Sequence, residues 1–217
     1  MKTVALVFLL LLGCALGFAL WELQEALHVR PTYVQEALHV SGVSHPVTAV
    51  LLNFRAFDTL LEVTVLLVAF LAFLGLAPTA KHAIFFRPGG MPKFLVRTLS
   101  PFFLVGVTYL WLIGGVDSGG AFQAAALLAT LIIFYRLSGY KFGYKISPFY
   151  VRVGAVFGLA FFLFMGALSL VWGEFFTYKN ALAGGVILTI EFFLTFTLGI
   201  LLAGFFVGNE PSRSKRW

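Results

Sequence analysis

The chain has 217 residues, of which 60% are hydrophobic and only 11% charged, with 26 phenylalanines. No soluble domain of this length buries so much apolar surface, so lipid is the solvent for most of it. The single cysteine, Cys14, excludes a disulfide framework and a cysteine-based metal cage. The formal net charge of +6 comes from basic residues lying between apolar segments, where they orient a membrane protein rather than bind nucleic acid.

Six segments are long enough to span a bilayer: Val4–Trp21, Asp58–Leu76, Pro101–Gly115, Gly120–Tyr135, Val153–Trp172 and Leu182–Val207. The first, within "MKTVALVFLLLLGCALG", reads as a retained helix, with a secretion signal as its rival. The outer segment that follows, Glu22 to Phe57, holds QEALHV twice, at Gln24–Val29 and Gln35–Val40, with Pro31 between the copies. Two amphipathic helical pieces at the membrane surface are the expected result. After the second span, "PTAKHAIFFRPGGMPKFLVR" reads as an inner-side linker, and "VDSG" between the third and fourth spans as the tight turn of a helical hairpin. The wider "GGVDSGGAF" has no following lysine and is a turn rather than a phosphate loop.

With the N-terminus inside, twelve of the 15 basic residues are cytoplasmic, and only Arg30, Arg55 and Lys179 are outside. The bias favours an all-α integral membrane protein of about six transmembrane helices with both termini cytoplasmic. The organisation expected is a two-helix unit with its outer segment over 1–78, a cytoplasmic linker over 79–97 and a four-helix unit over 98–217. Gly154 with Gly158, and Ala121 with Ala125 and Ala129, mark helix faces built for close approach.

Chemistry in lipid rests on the rare ionisable groups. Glu62 and Glu191 lie well inside apolar spans, and Asp58 at the outer end of the second. A charge at mid-membrane costs about 2.5–3.5 kcal/mol on insertion scales, so such a group holds a proton or cation, or pairs with a neighbouring chain. If the second helix reaches back to Arg55, then Arg55, Asp58 and Glu62 share one face, with Thr59 beside them. That stripe reads as a graded entrance, polar at the mouth and leading to a buried carboxyl at Glu62. A helix-start ion pair with one hydrogen-bonded carboxyl is the structural alternative. Glu191 shares a face with Gly184, Leu188 and Thr195, and no basic residue lies in its span. The four histidines have no ligand-like spacing, and no nucleophile–base pair or dinucleotide fingerprint is present.

The stretch "GVSHPVTAVLLNFRAFDTLLEVTVLLVAFLAFLGL" resembles the C-terminal part of the large A subunit of Mrp-type multisubunit cation/proton antiporters, a segment that is a separate small subunit in archaeal membrane-bound hydrogenases. The matching residues include Val47, Thr48, Ala49, Leu51, Phe54, Arg55, Phe57, Asp58, Thr59, Leu60, Glu62 and Thr64, with Asn53 where the family has aspartate. The remainder resembles the B subunit of the same complexes, through "GGAFQAAALLATLIIFYRLSG" and "GGVILTIEFFLTFTLGILL". The family's glycine-rich turn is reduced here to a run containing Gly119, Gly120 and Phe122, and Gly115 replaces the histidine usual before it.

The resemblance implies a non-redox membrane subunit of a sodium/proton antiporter module, within a respiratory complex of the hydrogenase or sulfur-reductase kind. A stand-alone antiporter is the other parent complex the resemblance leaves open. The resemblance also implies partners among the other membrane subunits, sodium and protons as transported species, and no cofactor or resident metal in this chain, with transient sodium near Glu62. Glu62 falls on the family's intramembrane glutamate and Glu191 on that of the last B-subunit helix. A purely structural subunit docking the sodium module to its neighbours is the alternative. No span contains a lysine or an interrupting proline, so the chain is not expected to transport alone.

Overall fold

A computed structural model describes residues 13–14, 17–18, 38, 41–76, 90–139, 148–172, 175–176, 178 and 180–207. The chain divides into two compact units, Met1–Ala37 and Leu38–Trp217. Of the first unit, Gly13, Cys14, Gly17 and Phe18 are described, and all four are helical. The first candidate span, the QEALHV repeat and the linker as far as Gly89 otherwise lie outside the described residues.

The second unit opens with a short helix, α1 (Pro46–Ala49), whose first position is proline and whose N-cap, His45, is extended. Proline suits that place because its missing N–H would have no helical partner. The chain continues through a π-helical turn, Val50–Phe54, in which the Arg55 N–H reaches back to the Val50 carbonyl (2.7 Å). Arg55 leaves helical geometry (φ −129°, ψ 38°), and α2 (Ala56–Leu76) begins at the next residue. The Thr59 hydroxyl donates back to the Leu51 carbonyl (2.6 Å), so this threonine braces the π turn rather than joining the outward stripe.

The third span is longer than its expected form. Helix α3 (Gly90–Ile113) takes in residues read as linker, and Pro101 lies inside it. Its start is compatible with Pro92, which falls in the first turn. Pro101 cannot donate to the Arg97 carbonyl one turn earlier, and the Ser100 hydroxyl does so instead (3.1 Å). The helix runs unbroken through Pro101 because a local hydroxyl takes over the lost backbone bond, while the longer span takes in Lys93, where no lysine was expected.

A turn over 114–120 reverses the chain into α4 (Ala121–Leu137). Val116 and Asp117 N–H both donate to the Ile113 carbonyl (2.8 Å each), and Gly120 N–H to that of Leu110 (2.8 Å), closing the expected hairpin. Helix α5 (Pro148–Ser169) ends in a 3₁₀ turn, Leu170–Trp172, and α6 (Asn180–Val207) completes the described chain. Every described element is helical. Among the described residues four helices are long and apolar enough to cross a membrane, over Ala56–Gly75, Pro92–Ile113, Phe149–Ser169 and Leu182–Phe206, making this a multi-pass membrane protein. Helix α4 has 17 residues, about 25 Å at the α-helical rise and short of a full hydrocarbon core.

Helix α6 is the centre of this unit. More than half of its most apolar window (56%) is buried inside the chain, against 11% for α3, and it packs on α2, α3, α4 and α5. Small residues make this possible. Ala121, Ala124, Ala125 and Ala129 of α4 are buried. A Cβ placed on Gly158 of α5 would stand 2.6 Å from the Phe193 carbonyl oxygen of α6. Both small-residue faces read in the sequence are thus helix contacts, and close backbone approach does the work that hydrophobic exclusion does in water.

Candidate functional site

Glu191 is the twelfth of the 28 residues of α6 and is buried, 4% exposed. Its carboxylate points at the glycine turn, where it accepts a hydrogen bond from the Ala121 amide at the start of α4. The first amides of a helix have no internal partners and carry the positive end of its dipole, so this is a favourable seat for a carboxylate. Oε2 has no hydrogen-bond partner among the described residues. Three glycines make room for the arrangement. Ideal Cβ atoms on Gly114 and Gly120 would lie 3.2 and 3.0 Å from Oε2 and Oε1, and one on Gly119 would strike the Leu110 carbonyl oxygen at 2.5 Å. Gly120 has φ +112°, a region that disfavours any side chain.

The residues expected to share Glu191's face build its surroundings. Leu188 offers its carbonyl to the Trp111 indole N–H (2.9 Å), and Thr195 donates its hydroxyl to the Glu191 carbonyl (2.7 Å). Gly184 packs against the Gly42 carbonyl oxygen, 2.9 Å from an ideal Cβ.

Residues 41–49 also close on the turn, which the sequence did not foretell. Ser44 and His45 N–H donate to the Gly115 carbonyl (3.1 and 3.0 Å), and the buried Thr48 hydroxyl donates to that of Gly114. His45 Nδ1 stands 3.3 Å from Thr48 Oγ1. In the sequence Thr48 stood out only as part of the family pattern, which says nothing about a partner so distant along the chain.

The stripe on α2 forms a second, separate feature. Arg55 and Asp58 make an ion pair (2.5 Å) with both side chains substantially exposed. Glu62 is exposed too, contrary to the buried carboxyl expected of it. Helix α2 turns Val63 inward, which puts Glu62 on the open side. Asp58, Leu61, Glu62, Val65, Leu66 and Phe122 line an open groove of about 530 Å³. Phe122 adjoins Ala121 in sequence, so the start of α4 has Glu191 on its amide and the groove at its next side chain. Glu62 and Glu191 nevertheless have different settings: one open to the chain's exterior, one enclosed.

Tyr178, just before α6, is a further buried polar group the sequence did not single out. Its hydroxyl has no partner among the described residues, and burial pushes the phenol above its usual range, so it stays protonated.

The fold recurs in two solved structures. The archaeal respiratory membrane complex described as the membrane-bound sulfane sulfur reductase (MBS) contains a chain 23% identical, with a TM-score of 0.70 over 94% of this chain and 97% of that one. The Mrp complex from Dietzia sp. DQ12-45-1b contains a chain 21% identical, with a TM-score of 0.69 over 99% of this chain and 26% of that one. This chain thus corresponds to about a quarter of the Dietzia chain's length. No curated protein matches in sequence. Residues 91–207, more than half the chain, match the model of the domain related to the MnhB subunit of Na+/H+ antiporter. That span runs from α3 to the end of α6 and includes the glycine turn and Glu191, so the chain belongs to the family of domains related to the MnhB subunit of Na+/H+ antiporter.

Proposed function

We propose that this chain is a non-redox subunit of a sodium/proton antiporter module, working inside a larger respiratory complex and contributing acidic side chains to the ion path. Family membership supports the module. The finer assignment is carried by Glu191: a buried carboxylate within a membrane helix, held through one oxygen by the Ala121 amide, with the other free to take a proton or cation. A group so enclosed needs a reason to be there, given the cost of charge in lipid. Asp58, Glu62 and Arg55 form the outer approach, the ion pair at the mouth and Glu62 next along the groove. Sodium and protons are the cargo in this reading, with no cofactor held by the chain.

The test is Glu191→Gln in the intact complex, assayed as sodium-dependent proton movement in inverted membrane vesicles. Loss of exchange with the complex still assembled is expected. Exchange at the parent rate in an assembled complex removes Glu191 from the path.

A second reading is favoured by the exposure of Glu62. Leu61 and Val65, which line the groove with it, are each more than half exposed, and a carboxylate cannot face lipid cheaply. A neighbouring subunit that covers this face and offers Glu62 a basic or hydroxyl group makes the chain a docking element. Glu62→Gln separates the two: an assembled complex with lost exchange marks a relay, and failed assembly marks docking.

A further inference from the structure

We infer that Thr48 and His45 are positioning residues for Glu191, acting on it through the backbone of Gly114. This deepens, and rests on, the reading of Glu191 as an ion-carrying group. The turn that seats Glu191 is poor in side chains of its own: Gly114, Gly115, Gly119 and Gly120 supply four of its seven positions. Such a backbone has many conformations open to it, so whatever fixes it here must come from its contacts. Bonds to the Ile113 and Leu110 carbonyls hold the turn to the end of α3, while the Gly114 and Gly115 carbonyls are held by the segment ahead of α2. The Gly115 carbonyl accepts the Ser44 and His45 amides, and the Gly114 carbonyl accepts the Thr48 hydroxyl.

Gly114 transmits the restraint. On one side its carbonyl is held by Thr48. On the other, its absent side chain lets it lie against Gly120 and Glu191: an ideal Cβ on Gly114 would be 2.6 Å from the Gly120 Cα and 3.2 Å from Glu191 Oε2. A shift of Gly114 therefore moves both the wall beside the free carboxylate oxygen and the residue that leads into the Ala121 amide. Because the Thr48 proton points at Gly114, Thr48 Oγ1 is the acceptor toward His45, and His45 Nδ1 carries the hydrogen. The order is directional: His45 Nδ1–H to Thr48, Thr48 O–H to Gly114, Gly114 against Glu191. The same segment runs on through α1 and the π turn into α2, so the element bearing Arg55, Asp58 and Glu62 is tied to the seat of Glu191.

The experiment uses the whole complex in inverted vesicles, with sodium-driven proton movement and amide hydrogen exchange over residues 114–121 as readouts. Thr48→Val keeps the shape and removes the donor. It should lower transport by roughly fivefold or more and speed amide exchange in the turn, the scale expected when one buried carbonyl loses its donor. Thr48→Ser should restore both. His45→Ala, a milder change at a half-buried position, should give a smaller loss, roughly twofold, since it removes only the second bond in the series. Wild-type transport in Thr48→Val, alongside its loss in Glu191→Gln, overturns the positioning role and leaves the reading of Glu191 standing. Failure of Thr48→Ser to restore function overturns it as well, by assigning the effect to packing. If Thr48→Val does not assemble, an unchanged rate of turn exchange in His45→Ala overturns it. Parent-level transport in Glu191→Gln removes both readings together.

Discussion

Gly120 meets Glu191 with no space for a side chain between them: a Cβ on Gly120 would stand 3.0 Å from Oε1. The backbone there is also in the left-handed half of the map, at φ +112°. Gly120→Ala therefore carries a conformational cost of about 1–3 kcal/mol and presses on the carboxylate at once. Thermal unfolding of the purified complex should show the stability loss. Transport measured well below that transition should fall further than the loss of folded protein accounts for, because the carboxylate is displaced. Gly119→Ala offers the comparison, since its Cβ strikes the Leu110 carbonyl and not the carboxylate.

Thr197 joins α6 to α5 by two bonds at a site where only glycine allows the approach. Its hydroxyl donates to the Gly154 carbonyl (2.7 Å) and accepts from the Gly158 amide (2.8 Å). Thr197→Val should cost about 0.6–2 kcal/mol, the range for a buried hydrogen bond between membrane helices. Gly158→Leu should cost more and disturb the fold. Even its Cβ would lie 2.6 Å from the Phe193 carbonyl, which is backbone and cannot swing aside. Unfolding of the detergent-solubilised protein in a denaturant series checks the order.

What the sequence revealed and concealed follows from the range of each interaction. Apolar runs, the alanine and glycine faces and the turn at Gly119–Gly120 are local patterns, and each was legible. The start of α3 was not, because Pro92 and Pro101 signal interruption, while the structure uses one in a first turn and compensates the other through Ser100. Burial was harder still. The spacing of Arg55, Asp58 and Glu62 defines a face but cannot say whether it points into the chain or out of it, and Glu62 points out. Glu191 and the turn were both noticed, yet their meeting depends on how α3, α4 and α6 pack. Thr48 drew attention only as part of a family pattern, since its partner at Gly114 lies across the fold.

The Arg55–Asp58 pair should contribute little to stability. Both side chains are open to solvent, 69% and 46% exposed, and exposed pairs are typically worth under about 1 kcal/mol and weaken with salt. Arg55→Gln should accordingly leave the unfolding transition nearly unchanged. If the pair serves as the mouth of the path, the same variant should alter how transport responds to ionic strength. Asp58→Asn tests the partner group, and coincidence of the two salt profiles would show that the pair acts as a unit.

The connection into α6 depends on Ser169 and Phe176. The Ser169 hydroxyl donates to the Gly166 carbonyl and accepts from the Phe176 amide, both at 2.6 Å. Phe176 has φ 66°, a conformation that costs a residue with a side chain about 1–2 kcal/mol. Its buried ring offsets this by packing against Phe162 and Phe175 at centroid distances of 4.9 and 4.4 Å, and over Gly166. Ser169→Ala should therefore cost about 1–3 kcal/mol, by leaving a buried amide unpaired beside a strained residue. Phe176→Gly relieves the backbone but deletes the ring, and should still lose more, since removing a buried phenylalanine costs about 3–5 kcal/mol. Equilibrium unfolding in mixed micelles ranks the two. A Phe176→Gly variant more stable than Ser169→Ala would mean that the ring does not hold this connection in place.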